Sequence, residues 1–290
     1  MTDLEIAILK TLAYADLFDQ ALTKTELYYY LIGYKLKSPQ QLPQELSYKF
    51  QITNELFTLA DCEALVQKKD QQQRITQQKT IYVKRWLWAF KLIPWISLVA
   101  LTGSVAGGTP KDEDDIDILI ISQSQRLWLC RLILTPLLTL LHKRRHPQHK
   151  PHQVKNKFCL NMWLSLDDLV ESTHDLYVAS ELAHLIPLLN RHQTYQNYLQ
   201  ANSWMRDFLP NCPLNPLAQI KKNAGQRSTV ASQLLRFLDR LAQKLQLHFM
   251  STPTTEIITN TTLKFHPLPY RQNILQKYHQ KLSQLHIGDS

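Results

Sequence analysis

Leu101-Thr102-Gly103-Ser104, followed after a short loop by Asp115-Ile116-Asp117-Ile118-Leu119-Ile120-Ile121, decides how this chain is read. Val99-Ala100-Leu101 ahead of the turn and Ile118 to Ile121 after the acids are apolar enough for two buried strands. Between them, Gly107-Gly108-Thr109-Pro110 is a loop signal. Strand side chains alternate between faces, so Asp115 and Asp117 are expected to project from the same side. Two carboxylates held that close repel each other unless a cation sits between them. A divalent metal is the usual answer, and Mg²⁺ takes carboxylate oxygens together with substrate phosphates. The Gly-Ser turn adds backbone N–H groups and a hydroxyl on which a phosphate can rest. The stretch reads as a metal–nucleotide site.

A Gly-Ser turn followed by a spaced Asp-x-Asp resembles the signature of the nucleotidyltransferase superfamily with the DNA polymerase β-type head. The resemblance implies that Gly103 and Ser104 contact nucleotide phosphate. It also implies that Asp115 and Asp117 are the catalytic pair and hold Mg²⁺ (or Mn²⁺). Active members bring a third carboxylate from a later strand. The best matching strand here, Phe158-Cys159-Leu160-Asn161-Met162-Trp163-Leu164, contains no Asp or Glu, and by the resemblance Asn161 is the candidate for the third-carboxylate position. Asp167 and Asp168 follow just past its end. Either another group fills the role, or activity is reduced or lost. Asp112, Glu113 and Asp114 fall in the preceding loop and are read as solvated or weakly metal-attracting, with Asp114 turned away from Asp115.

At 290 residues and 44% hydrophobic content the chain can bury a real core, in two or three units. Lys and Arg exceed Asp and Glu by 33 to 24, and the net charge of +9 favours an anionic partner such as nucleotide or nucleic acid. Cys62, Cys130, Cys159 and Cys212 are scattered without C-x-x-C spacing, which points to a reducing cytoplasm and to neither a disulfide framework nor a zinc site. Thr2-Asp3-Leu4-Glu5 carries acids where a secretory leader needs bases. The apolar runs from Trp86 to Leu101 and from Leu127 to Leu141 are broken by Lys91, Pro94, Arg131 and Pro136, so no membrane partner is expected. Both read as buried helices flanking a sheet.

The N-terminal part reads as a helical module. Thr2-x-x-Glu5 and Thr23-x-x-Glu26 are capping boxes opening two helices, the second stopping at Gly33. Thr53 to Leu65 reads as a third helix and Gln67 to Gln73 as a polar turn, an order that resembles a winged helix-turn-helix. The third helix carries Glu55, Asp61 and Glu63 and no base, which disfavours DNA phosphates. Thr80 to Leu98 reads as a helix feeding the first strand of the core, and Arg126 to His142 as a helix crossing the sheet. The Lys143-Arg144-Arg145 loop, with Lys150, Lys155 and Lys157, is either a clamp for a triphosphate or nucleic acid or a solvated connection. Its histidines, His142, His146, His149 and His152, read as solvated rather than as a metal site. Further on, Asp175 to Leu189 and Tyr195 to Leu209 read as helices, followed by a Pro210–Pro216 linker. Leu234, Leu238, Leu241, Leu245 and Phe249 line one face of a long helix, which either covers its own core or docks a partner. His266 is a weak candidate ligand contact.

The expected fold class is α+β: a small mixed-sheet nucleotidyltransferase core over 80–170, flanked by a winged-helix-like module over 1–79 and a helical C-terminal region over 171–290. The expected function is Mg²⁺-dependent transfer of a nucleoside monophosphate from an NTP to an acceptor hydroxyl on a small molecule, nucleic acid or protein. The alternative is a catalytically weak nucleotide-binding regulator or antitoxin-like subunit that contacts DNA or a partner protein.

Overall fold

The computed structural model describes residues 1–43, 50–59, 64–213, 230–250, 257–265 and 268–288. Its centre is a mixed six-stranded sheet in the order β7-β4-β5-β6-β9-β8. The strands are β4 (Ile96–Leu101), β5 (Ile116–Ser122), β6 (Phe158–Ser165), β7 (Ile186–Asn190), β8 (Ile257–Ile258) and β9 (Thr262–Lys264). Only the β5–β6 pair is parallel; the other neighbours run antiparallel. A smaller antiparallel sheet, β1-β3-β2, joins β1 (Leu22–Thr23), β2 (Phe50–Thr53) and β3 (Leu56–Leu59).

Strand alternation divides the core in two. Leu98, Ala100, Leu119, Ile121 and Leu164 face one side, against α1 (Asp3–Asp16), α2 (Lys24–Tyr29), α6 (Leu176–His184), α7 (Thr194–Ala201) and α9 (Leu268–Gln284). Val99, Leu101, Ile118, Ile120 and Trp163 face the other, against α3 (Ala64–Lys91), α5 (Leu127–Leu140) and α8 (Val230–Phe249). The fold is therefore mixed α/β, with helices on both faces of the large sheet. Among the described residues, no helix is long and apolar enough to cross a membrane.

Both capping boxes form: Thr2 with Glu5 opens α1, and Thr23 with Glu26 opens α2. The third N-terminal helix does not. Residues 50–59 make a β-hairpin instead, because Asn54 and Glu55 both adopt left-handed φ angles of 53° and 63°. That is the geometry of a two-residue hairpin turn. Phe50, Phe57 and Leu59 then point inward. Glu55 is a turn residue, while Asp61 and Glu63 lie outside the described residues. The expected polar turn at Gln67 to Gln73 is the first part of the 28-residue α3, a run with no Gly or Pro and rich in good helix formers. Lys69 anchors it through an ion pair with Glu26 at 2.8 Å.

Two expectations about the apolar runs divide. Leu127–Leu140 is a helix, α5, but the Trp86–Leu101 run ends α3 and then forms β4, where all six residues are buried. The C-terminal third is not wholly helical either. Ile186–Asn190, expected within a helix, is the edge strand β7, a place where Pro187 is tolerated because one side of the strand makes no ladder bonds. Strands β8 and β9 cover the opposite edge. Helix α8 turns Asp239 and Ala242 toward α5, and Asp239 accepts the backbone N–H of Leu129 at 2.9 Å. The Leu234, Leu238, Leu241, Leu245 and Phe249 stripe is exposed and covers no core among the described residues.

Candidate functional site

The chain leaves β4 through Thr102 into α4 (Gly103–Ala106), a single helical turn, and returns through an acidic loop to β5. The Thr102 N–H bonds the Asp117 carbonyl at 3.2 Å, which pins the turn against the strand. Gly103 has φ +62°, a left-handed angle, and a Cβ there would overlap the Asp117 carboxylate, with Cγ only 3.1 Å away. Both the backbone angle and the space demand glycine. This explains why the turn and the second aspartate come as a unit.

Asp115 precedes β5 and Asp117 is its second residue. Their carboxylates and the Cys159 sulfur lie within 4.8 Å of one another. Cys159 is the direct cross-strand partner of Asp117 on β6. From there, three steps along β6 match two along β5, a bulge that re-aims the residues between. Asn161 emerges from it with its amide nitrogen donating to Asp117 Oδ1 at 2.7 Å. Its own Oδ1 is buried without a partner.

Enclosure sets the electrostatics. Burial first, and the charge of Asp115 second, push the Asp117 carboxyl up to about 7. Burial and the two aspartates push the Cys159 thiol up as well. Asp115 meets Arg145, whose guanidinium donates to Oδ2 at 2.5 Å and also approaches Cys159 Sγ at 3.8 Å. Arg145 is placed by backbone bonds that lay residues 143–145 alongside Phe158. The basic segment is thus pinned to the sheet at this point rather than a free connection. Lys143 lies over the rings of Tyr82 and Trp86, whereas Arg144 and Arg145 line the cleft.

The acidic loop is not merely solvated. Asp114 accepts from the Ser104 hydroxyl at 3.1 Å and from the Lys111 N–H at 2.9 Å. Lys79, only 2% exposed, donates to the carbonyls of Asp112 and Asp114 and to Asn156 Oδ1. Asp112, by contrast, is an exposed partner of Lys155. Ser104 therefore has its one proton committed to a neighbouring carboxylate.

Glu181 of α6 was not visible as a site residue in the sequence. It accepts from Thr102 Oγ1 at 3.0 Å and from the Gly103 N–H, and burial raises its pKa. Glu181, Cys159, Asp114 and Arg145 border one cleft of about 960 Å³, which Tyr14 of α1, Tyr177 of α6 and Tyr270 of α9 also line. That size is at the upper end for small-molecule sites. Asp115, Asp117, Gly103, Ser104 and Asn161 all border it; Asp167 and Asp168 do not. Asp167 bonds Ser165, and Asp168 bonds the hydroxyls of Thr261 and Thr262. His266 lies outside the described residues. Among the described residues, the histidines of the 142–152 segment form no metal-ligating cluster.

Comparison with protein-family models, with curated proteins and with solved structures returned no match.

Proposed function

We propose that the chain is a divalent-metal-dependent nucleotidyltransferase that moves a nucleoside monophosphate from an NTP to an acceptor hydroxyl. The observation that carries this reading is the pairing of Asp115 and Asp117 beside a glycine whose missing Cβ makes room for the Asp117 carboxylate. Two enclosed carboxylates, one of them with its pKa raised, fit a cation between them. Asp115 and Asp117 would hold that ion, Mg²⁺ or Mn²⁺ by the resemblance. When bound it supplies a lowered pKa for the attacking hydroxyl and charge stabilisation for the leaving pyrophosphate.

The chain's own residues account for the remainder. Arg131, Arg144 and Arg145 line the cleft and offer positive charge to a triphosphate. Lys79 and Asp114 hold the acidic loop so that Asp115 is presented to the cleft. Glu181, a buried carboxylate bonded to the turn, is the candidate to accept the acceptor's proton, the role for which Asn161 is unsuited. The acceptor is a small molecule, a nucleic acid or a protein. A reducing, cytoplasmic setting is supported by free thiols at Cys130, Cys159 and Cys212.

A second reading is favoured by two particulars: an amide beside Asp117 where the resemblance expects a third carboxylate, and Arg145 already neutralising Asp115. On that reading the chain is a catalytically weak nucleotide-binding regulator or antitoxin-like subunit contacting DNA or a partner protein. The deciding experiment presents α-labelled NTPs, with Mg²⁺ or Mn²⁺, to hydroxyl acceptors including the protein itself and transfer RNA. Label transfer lost in both Asp115→Asn and Asp117→Asn supports the enzyme. Transfer that survives in both variants removes it.

A further inference from the structure

We infer that Asp115, Asp117 and Cys159 form a thiolate-containing metal site that takes a borderline-soft divalent ion of the Zn²⁺ class in preference to Mg²⁺. The inference rests on the metal-binding half of the reading above, not on nucleotidyl transfer.

The donor set argues against a hard ion. Mg²⁺ seeks oxygen ligands in octahedral array, whereas one of the three groups gathered here is sulfur. The three donor atoms lie within 4.8 Å of one another. An ion bound about 2 Å from each oxygen and about 2.3 Å from sulfur in tetrahedral array sets its donors about 3.3–3.6 Å apart, so the three groups, already within 4.8 Å of one another, draw together on binding. Two carboxylates and a cysteine leave a fourth tetrahedral position open, as catalytic zinc sites do.

A second observation points to the same place. Asn161 is 5% exposed, and its Oδ1 is buried with no hydrogen-bond partner. As placed, Nδ2 donates to Asp117 Oδ1 at 2.7 Å, the orientation that an ionised, metal-holding Asp117 requires, since a turned-over amide would set its oxygen against that carboxylate. The orphaned acceptor thus belongs to a residue that borders the cleft and is bonded directly to one of the proposed ligands, and a donor such as a water on the ion is what it lacks. On binding, the Cys159 S–H proton leaves to solvent, the sulfur's electron pair goes to the metal, and Arg145 gives up Asp115.

The test is titration of the full chain with Co²⁺, a spectroscopic stand-in for Zn²⁺. The wild type should show thiolate-to-cobalt charge-transfer absorption in the near ultraviolet. One equivalent of Zn²⁺ should abolish it and a thousandfold excess of Mg²⁺ should not. Cys159→Ser should lose it. Absence of the band, its persistence in Cys159→Ser, or equal displacement by Mg²⁺ overturns the inference. Should Cys159→Ser fail to fold, the wild type alone decides: Zn²⁺ must protect Cys159 from alkylation, read by mass spectrometry, and an unprotected Cys159 overturns the inference. Failure of nucleotide to bind would leave every one of these readouts in place, so the two readings fail separately.

Discussion

The side-chain amide of Asn161 donates to Oδ1 of Asp117 at 2.7 Å, from the strand on which the resemblance places a third carboxylate. An amide there satisfies Asp117 without adding charge. Asn161→Asp puts a third carboxylate beside a half-buried pair. Without metal, the variant should be destabilised by about 1–3 kcal/mol, because like charges have to be protonated or held apart. Divalent ion should restore that stability and bind more tightly than in wild type. Urea denaturation with and without metal reads both effects. Equal stability of the two proteins in the absence of metal would contradict the proximity argued here.

Burial, and the charge of Asp115 after it, push the Asp117 carboxyl up to about 7 in the fold, against an ordinary value of 3.8. A raised acid binds more protons folded than unfolded, so metal-free stability falls as pH rises between those values and is level above about 7. The contribution is of order 4 kcal/mol. Asp117→Asn has no charge to bury there, so its stability advantage over wild type should grow from about pH 4 to pH 7 and then hold. Melting temperatures of the two metal-free proteins across that range check it, and parallel curves would contradict it.

Gly103 should tolerate no side chain. Gly103→Ala meets both a left-handed backbone and the Asp117 carboxylate, a cost of about 2 kcal/mol or more. Because the collision displaces one of the two carboxylates proposed to hold metal, metal affinity should fall together with stability. An alanine variant with wild-type metal affinity would refute the close approach.

Lys79 reaches across from α3 to hold two carbonyls of the acidic loop. Lys79→Met keeps the stem and removes the donors, leaving those carbonyls without this partner for about 1–3 kcal/mol. Metal affinity should weaken even though Lys79 touches none of the three proposed ligands. Unchanged stability and affinity would mean that the loop holds itself.

Much of this was legible in the sequence where the signal is local. Alternation placed Asp115 and Asp117 toward one side, the capping boxes opened α1 and α2, and the apolar flanks gave β5, β6 and α5. The hairpin over 50–59 was misread because a short apolar run fits either period, and the turn at Asn54-Glu55 lacks the usual glycine. Strand β7 was misread because proline looks like a helix stop until the strand is known to lie at an edge. Glu181, and the pairing of Arg145 with Asp115, were hidden for another reason. Glu181 is 79 residues from Thr102 and Arg145 is 30 from Asp115. No periodicity announces contacts over such separations. Cys159 could have been found: pairing β6 in register with β5 sets it directly beside Asp117.

The measurement closest to the central claim is nucleotide binding, followed by thermal unfolding with each NTP in the presence and absence of Mg²⁺, Mn²⁺ or Zn²⁺. The account predicts a stabilisation that requires both nucleotide and a divalent ion in wild type and is lost in Asp117→Asn. No stabilisation by any nucleotide, or an equal one in Asp117→Asn, would contradict it.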